Sequence, residues 1–297
     1  MYNEKVRIGT LVNIKPGMTD YIREILPHGF ESFSLNAWKN TGELDIAQLA
    51  APVKEELGDS GVIISSLGVF GNPLLENEEG AVTRACWETF IDNAHLFDTD
   101  LVCGFTGRVV GASIPDSIPR FKEVFTPLTQ RAADKGVRIA FENCEMGGNW
   151  HTGEWNIAHN PDAWELMFNA IPAENIGLEW EPCHQMTKLL DPIPQLRKWV
   201  SKVFHVHGKD ATIMWDVIKE HGIGGSVPWV YHRTPGFGDS NWTDIISILR
   251  MGGFSGSIDI EGWHDPVYNG ELEMVGQVRG MQYLKACRGG DYYPNPA

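Results

Sequence analysis

The strongest regularity in the chain is an alternation. Eight short runs rich in apolar and β-branched residues fall at 6–12, 31–36, 61–69, 100–105, 137–143, 176–181, 203–208 and 256–262. Between them lie stretches with helical periodicity: MTDYIREILPHG, DIAQLAAPVKEELGDSG, TRACWETFIDNAHLFD, SIPRFKEVFTPLTQRAADKG, NPDAWELMFNAI, DPIPQLRKWVSK and WTDIISILRMGG. Several close on glycine or a basic last turn, where helices stop. Eight strands, most of them followed by a helix, form the pattern of an α/β chain closed into a (β/α)8 barrel.

A length of 297 residues suits such a barrel, and 42% hydrophobic with 21% charged residues is enough apolar material for a large core. No Pro-, Ser- or charge-rich linker divides the chain. The sequence therefore predicts one domain over 1–297, with a strand-rich core at about 6–262 and a C-terminal helix and tail at 263–297. The formal net charge of −15 repels phosphate backbones and anionic membranes, so nucleic acid and membrane partners are not expected. No apolar run reaches the roughly 18 residues of a membrane span. The N-terminus lacks a basic segment followed by a long apolar one, and the five cysteines show no framework spacing. These features predict a cytoplasmic protein with reduced thiols.

In a barrel, residues at the C-terminal ends of the strands converge on one mouth. The fifth run ends in AFEN, offering Glu142, and the sixth in LEWEPCH, offering Glu181 with His184 just beyond. His207 lies in the seventh, and the eighth offers Glu261 with His264 after it. Three carboxylates and one imidazole suit Mn²⁺, Mg²⁺ or Co²⁺ rather than structural zinc. Two positions below these tips stand Glu179, His205 and Asp259, which by strand alternation face the interior too. They need partners, either as supports for the ligands above or as a satisfied polar layer unconnected with metal. The long segment 211–241, dense in glycine, aromatics and cations, is a candidate lid or substrate wall.

The segments FEN, NIAHNPDAWELMF, GLEWEPCHQ, FHVHGKDA and RTPGFGDSNWTDIISILRMGGFSGSIDIEGWHDP carry a resemblance across roughly 137–266. They resemble the sugar phosphate isomerase/epimerase group of the xylose isomerase-like TIM barrels. Within that group they look most like the α subunit of C-glycoside deglycosidases. The resemblance implies one divalent metal ion, Mn²⁺ first with Mg²⁺ or Co²⁺ as alternatives, on Glu142, Glu181, His207 and Glu261. The position of Glu181 is more often aspartate in the group. Carried over in the same way, His184 and Arg233 touch substrate, and Lys209 with Asp210 has a supporting or substrate-facing role.

The reaction so implied is proton abstraction next to the carbonyl of a sugar or glycoside. In a C-glycoside deglycosidase it would lead to β-elimination of the aglycone from a 3-oxo-C-glucoside, with a small β subunit as partner in a hetero-oligomer. In an isomerase or epimerase it would lead through an enediolate, with Glu142 and Glu261 exchanging protons. His151, in the loop after the fifth strand, and His184 are candidate bases for the lyase; His159, His232 and His264 are candidates for lining the mouth. A non-catalytic barrel subunit is a further alternative. A nuclease reading is opposed by the acidic charge.

Overall fold

The structure is a computed structural model that describes residues 6–289 and 295–296. Its strands are β1 (Arg7–Asn13), β2 (Ser32–Trp38), β3 (Ile63–Phe70), β4 (Leu101–Gly104), β5 (Arg138–Glu142), β6 (Ile176–Trp180), β7 (Val203–Gly208), β8 (Asp210–Ile213), β9 (Val230–Arg233) and β10 (Ser257–Ile260). Its helices are α1 (Met18–Ile25), α2 (Ile46–Leu57), α3 (Glu78–Asn93), α4 (Ile114–Asp134), α5 (Pro161–Ala170), α6 (Cys183–Met186), α7 (Pro192–Trp199), α8 (Trp215–His221), α9 (Trp242–Met251) and α10 (Glu273–Arg288). Eight strands close into a barrel in the order β1-β10-β7-β6-β5-β4-β3-β2. Each predicted run overlaps one of them, β10 being the eighth.

Helix starts follow local capping chemistry. Asp45, Asn77, Ser113, Asn160, Asp191 and Asn241 each accept a backbone N–H of the first turn with the side chain. Two of these caps move a boundary. The helix predicted from Thr83 begins at Glu78, and the one predicted from Ser117 begins at Ile114, because Ser113 caps it. The segment 211–241 is not plain loop: β8 and β9 form an antiparallel ribbon with α8 between them.

By clustering of the backbone the chain divides into two compact units. One comprises Leu11–Trp180 with Lys202–His205. Its core includes an aromatic stack in which Phe125 meets Phe141 edge-on at 4.9 Å and Trp87 at 5.4 Å. Each of these rings is fully buried, a contribution of about 2–3 kcal/mol apiece. This stack seals α3 and α4 against β5.

The other unit holds the described residues up to Thr10, Glu181–Ser201 and those from Val206 onward. Trp242, Ile245, Ile246, Ile248 and Leu249 form the buried face of α9. Arg288, at the end of α10, donates to the Val6 carbonyl at 2.7 Å and so fastens the chain's two ends. Asp210 is buried and accepts from Ala211 N–H at 2.8 Å, Ser240 N–H at 3.0 Å and Trp242 Nε1 at 3.1 Å. Burial raises its pKa and these hydrogen bonds oppose the rise. These bonds hold the 240–242 turn against β8. Asp210→Ala strands three donors, and urea unfolding should show a loss of about 2–4 kcal/mol.

Candidate active site

Chemistry-bearing side chains gather where strands end. β6 stops at Trp180, and Pro182 then turns the chain into the short α6. That turn brings His184 back over Glu181: its backbone N–H donates to Oε1 at 3.1 Å, and its Nε2 lies 3.3 Å from the same oxygen. After β7, Lys209 is almost wholly buried, an exposure of 2% that a lysine tolerates only with partners. Its ammonium donates to Glu261 Oε1 at 2.7 Å and to His184 Nε2 at 3.2 Å. Glu261 follows β10, where its N–H bonds the Gly208 carbonyl at 3.2 Å.

Glu261 is the hub. His207 Nδ1 lies 3.5 Å from its Oε2, and His264 Nε2 lies 3.1 Å from its Oε1. Burial alone would raise its pKa. The Lys209 ammonium, with hydrogen bonds from His207 and His264, outweighs burial and holds the carboxyl well below the usual carboxylate range. The ring of His232 meets His184 edge-on at 5.1 Å and lies 5.6 Å from His264. Burial, then the Lys209 charge, pushes the pKa of His232 down to about 3.

That shift has a stability consequence. The folded value lies below the ordinary imidazole value, so the contribution of the neutral ring is complete above about pH 6.5 and is lost as pH falls towards 3. Between pH 6.5 and 5.0, unfolding free energy should drop by roughly 1–2 kcal/mol. The His232→Phe variant, measured by urea titration at each pH, should show a flatter dependence.

Among the described residues, one compact unit brings Cys103, Glu179 and His205 together, one ligand atom of each lying within 4.8 Å of the others, and the other unit brings His207 against Glu261. In the first, His205 Nδ1 and Glu179 Oε1 are 2.8 Å apart, and burial, with the charge of Glu179 next, keeps the Cys103 thiol protonated. The sequence placed Glu179 and His205 in a lower layer but missed Cys103, whose position on β4 carries no spacing signal. Level and layer also differ. Glu142 pairs in register with Glu179, and His207 with Asp259, so layers counted back from each strand end are staggered between neighbouring strands.

The remaining predicted residues are placed as follows. Glu142 closes β5, buried, and its carbonyl accepts from Asn156 Nδ2 at 2.8 Å. Arg233, on β9, pairs through Nε with Asp265 at 3.0 Å. His159 is buried and Asp259 fully so. His151 is exposed, its backbone N–H on Asn149 Oδ1 at 2.8 Å.

A family described as "Xylose isomerase-like TIM barrel" matches residues 22–287. The chain belongs to that family. Among relatives, it is 29% identical over 166 residues to an inosose dehydratase of Clostridium botulinum (strain Alaska E43 / Type E3), a match covering 53% of this chain and 50% of that protein. The chain thus spans about half the length of that relative. A xylose isomerase-like TIM barrel protein from Mycobacterium smegmatis, solved in complex with magnesium, superposes with a TM-score of 0.71 at 15% identity, covering 95% of this chain and 96% of that one. The 3-keto-D-glucoside 4-epimerase YcjR from E. coli superposes with a TM-score of 0.69 at 13% identity, covering 95% and 100%. At such identities the two structures speak for the fold alone.

The donor chemistry of the strand-end group fits the metal that the resemblance implies. Glu142, Glu181, His207 and Glu261 are each buried, and their donors are oxygen-rich with one imidazole nitrogen in the minority. The Cys103 group is softer and lies on β4, β6 and β7 below the strand ends. Among the described residues no disulfide joins any of the five cysteines, and no helix is long and apolar enough to cross a membrane.

Proposed function

We propose that this chain is a divalent-metal-dependent enzyme that removes a proton from the carbon next to the carbonyl of an oxo-sugar. One observation carries the reading: at the strand ends His207 Nδ1 lies 3.5 Å from the buried carboxylate of Glu261, which Lys209 holds at 2.7 Å beside His184 and Glu181. Glu142, Glu181, His207 and Glu261 would hold the ion, with Mn²⁺ the first choice and Mg²⁺ or Co²⁺ as substitutes. Such an ion supplies positive charge where negative charge develops on substrate oxygens.

The chain's own residues divide the remaining work. Lys209 keeps Glu261 ionised, which also makes that carboxylate a weak base. Proton abstraction then falls to Glu142 or to an imidazole. Of the histidines named from sequence as bases, His184 is the buried one, and it can take up a proton through Nε2 only when Lys209 releases that nitrogen. The pKa of His232, beside it, is pushed down to about 3, which makes it too weak a base for the step and leaves it as a neutral lining of the mouth. Lys209 thus serves as an electrostatic support, and Arg233, paired through Nε with Asp265, would contact substrate oxygens.

For the outcome, β-elimination from a 3-oxo-C-glucoside is the reading favoured by the segment resemblance, with a small partner subunit. The electron pair of the C2–H bond would form a C1–C2 double bond as the C1–aryl bond breaks, and the aryl carbon would take up a proton. Similarity to an inosose dehydratase, by name an eliminating enzyme, supports elimination. A second reading, isomerisation or epimerisation of a sugar, draws support from the fold shared with YcjR.

The test is incubation of the Mn²⁺-loaded protein with an aryl 3-oxo-C-glucoside in D₂O. Aglycone release identifies the lyase. Deuterium at C2 without release identifies the isomerase or epimerase. Neither event, with or without a partner subunit, contradicts the proposal.

A further inference from the structure

We propose that Trp38 and Trp155 form a platform that binds a flat aromatic group carried by the substrate. The proposal deepens the reading above and rests on it for where the sugar sits. Trp38 is the last residue of β2, at the strand end where barrel sites are built, yet 57% of it is exposed. Its ring lies 5.5 Å from that of Trp155 at a 34° tilt, so one face of each indole is taken and the outer face of Trp38 remains open. Edge-on at 6.5 Å stands Phe105, which in turn meets Phe70 at 5.2 Å. Phe70, Phe105 and Cys144 pack together with Met146 against them.

The platform is rigid, and it is tied to a proposed catalytic residue. Lys39, immediately after Trp38, sits at φ 66° although it is not glycine, and Met146 sits at φ 49°. Left-handed backbone of this kind costs about 1 kcal/mol or more and persists where the surroundings impose it, often at ligand sites. Here Lys39 N–H bonds the Phe70 carbonyl at 3.0 Å, and the Lys39 ammonium lies 5.2 Å above Trp155 while pairing with Glu79. On the other side Asn156, next to Trp155, donates to the carbonyls of Glu142 and Cys144 at 2.8 and 2.7 Å and accepts from Thr106 Oγ1 at 2.5 Å. The same asparagine thus ties the chain beside Trp155 to the tip of β5.

The chemistry of the wall selects its occupant. Indoles, phenyl rings and a thioether offer dispersion and ring stacking, and the Lys39 ammonium is committed to Glu79 and Trp155. A bare sugar, needing hydrogen-bond partners for its hydroxyls, gains little there; an aryl ring gains about 1–3 kcal/mol from stacking on an indole.

The experiment uses Trp38→Ala, with Trp38→Phe as the conservative variant, in the full chain. Because Trp38 is mostly exposed, the fold should survive, and far-UV circular dichroism checks this. Binding of 4-methylphenol is followed by tryptophan fluorescence, and KM and kcat are measured for an aryl 3-oxo-C-glucoside beside solvent-deuterium exchange into 3-oxoglucose. The expected result is a roughly tenfold weaker phenol affinity and a similar rise in aryl KM for Trp38→Ala, largely restored in Trp38→Phe, with exchange into 3-oxoglucose unchanged. Equal losses for aryl and aglycone-free substrates, or no loss of phenol binding, would overturn the platform. Absence of exchange in the wild-type protein would count against the proton-abstraction reading instead, while the phenol titration still decides the platform.

Discussion

His207→Ala should lose both its metal and its activity. A chain that carries about one divalent ion after loading with Mn²⁺ and desalting should retain less than ~0.1, and turnover should fall by about 10³-fold or more, because a ligand is deleted outright rather than merely tilted. The substitution leaves a small buried cavity and should cost about 1–3 kcal/mol, so the variant remains folded and the loss is read from elemental analysis against an intact circular dichroism spectrum. Cys103→Ala is the contrast. It deletes a donor from the other buried group, which the structure accounts for through the His205–Glu179 hydrogen bond at 2.8 Å, and metal content should stay as in the wild type. Loss of metal in Cys103→Ala with retention in His207→Ala would reverse the assignment.

Lys209→Met should be the most destabilising single change at the site. The lysine is buried and its ammonium contacts the Glu261 carboxylate at 2.7 Å. Methionine keeps much of the volume but leaves a buried carboxylate without its cation, a defect of about 3–5 kcal/mol in metal-free protein. The pH dependence should change sign as well. In the wild type the folded pKa of Glu261 is depressed, so its stabilising contribution is complete above the unfolded value near 4.3 and disappears as pH falls below it. Without the lysine, burial dominates and raises that pKa, so acidification from about pH 7 towards 5 should recover stability. Adding Glu261→Gln to Lys209→Met should restore much of the loss, a coupling that urea titrations of the four proteins would read directly. Additive losses would show that Lys209 acts through packing alone.

How much of this was legible beforehand follows from what each signal is. Strands buried on both sides leave continuous apolar runs, so all eight barrel strands could be read, and the strand-end positions of Glu142, Glu181 and Glu261 followed. The ribbon of β8 and β9 could not. Its strands DATI and VYHR are four residues each, are separated by a helix, and lack a short turn such as Asn-Gly. Helix starts slipped where the first turn is polar, as at Glu78–Gly80, or where a serine repeats, as in SIPDSIP. Arg233 was expected to touch substrate and Asp210 to have a supporting or substrate-facing role; their partners in the fold, Asp265 and the 240–242 turn, lie more than 25 residues away and no periodicity announces them. The burial of Lys209 between Glu261 and His184 is likewise a long-range fact. Sequence placed the residue at the mouth; only the fold shows its charge already engaged.

Anomalous diffraction at the manganese edge, from crystals grown with Mn²⁺, tests the central claim most directly. The account predicts one strong peak within coordinating distance, about 2.0–2.3 Å, of Glu142, Glu181, His207 and Glu261. A peak on Cys103, Glu179 and His205 alone, or none at the strand-end group in metal-saturated and active protein, would contradict it.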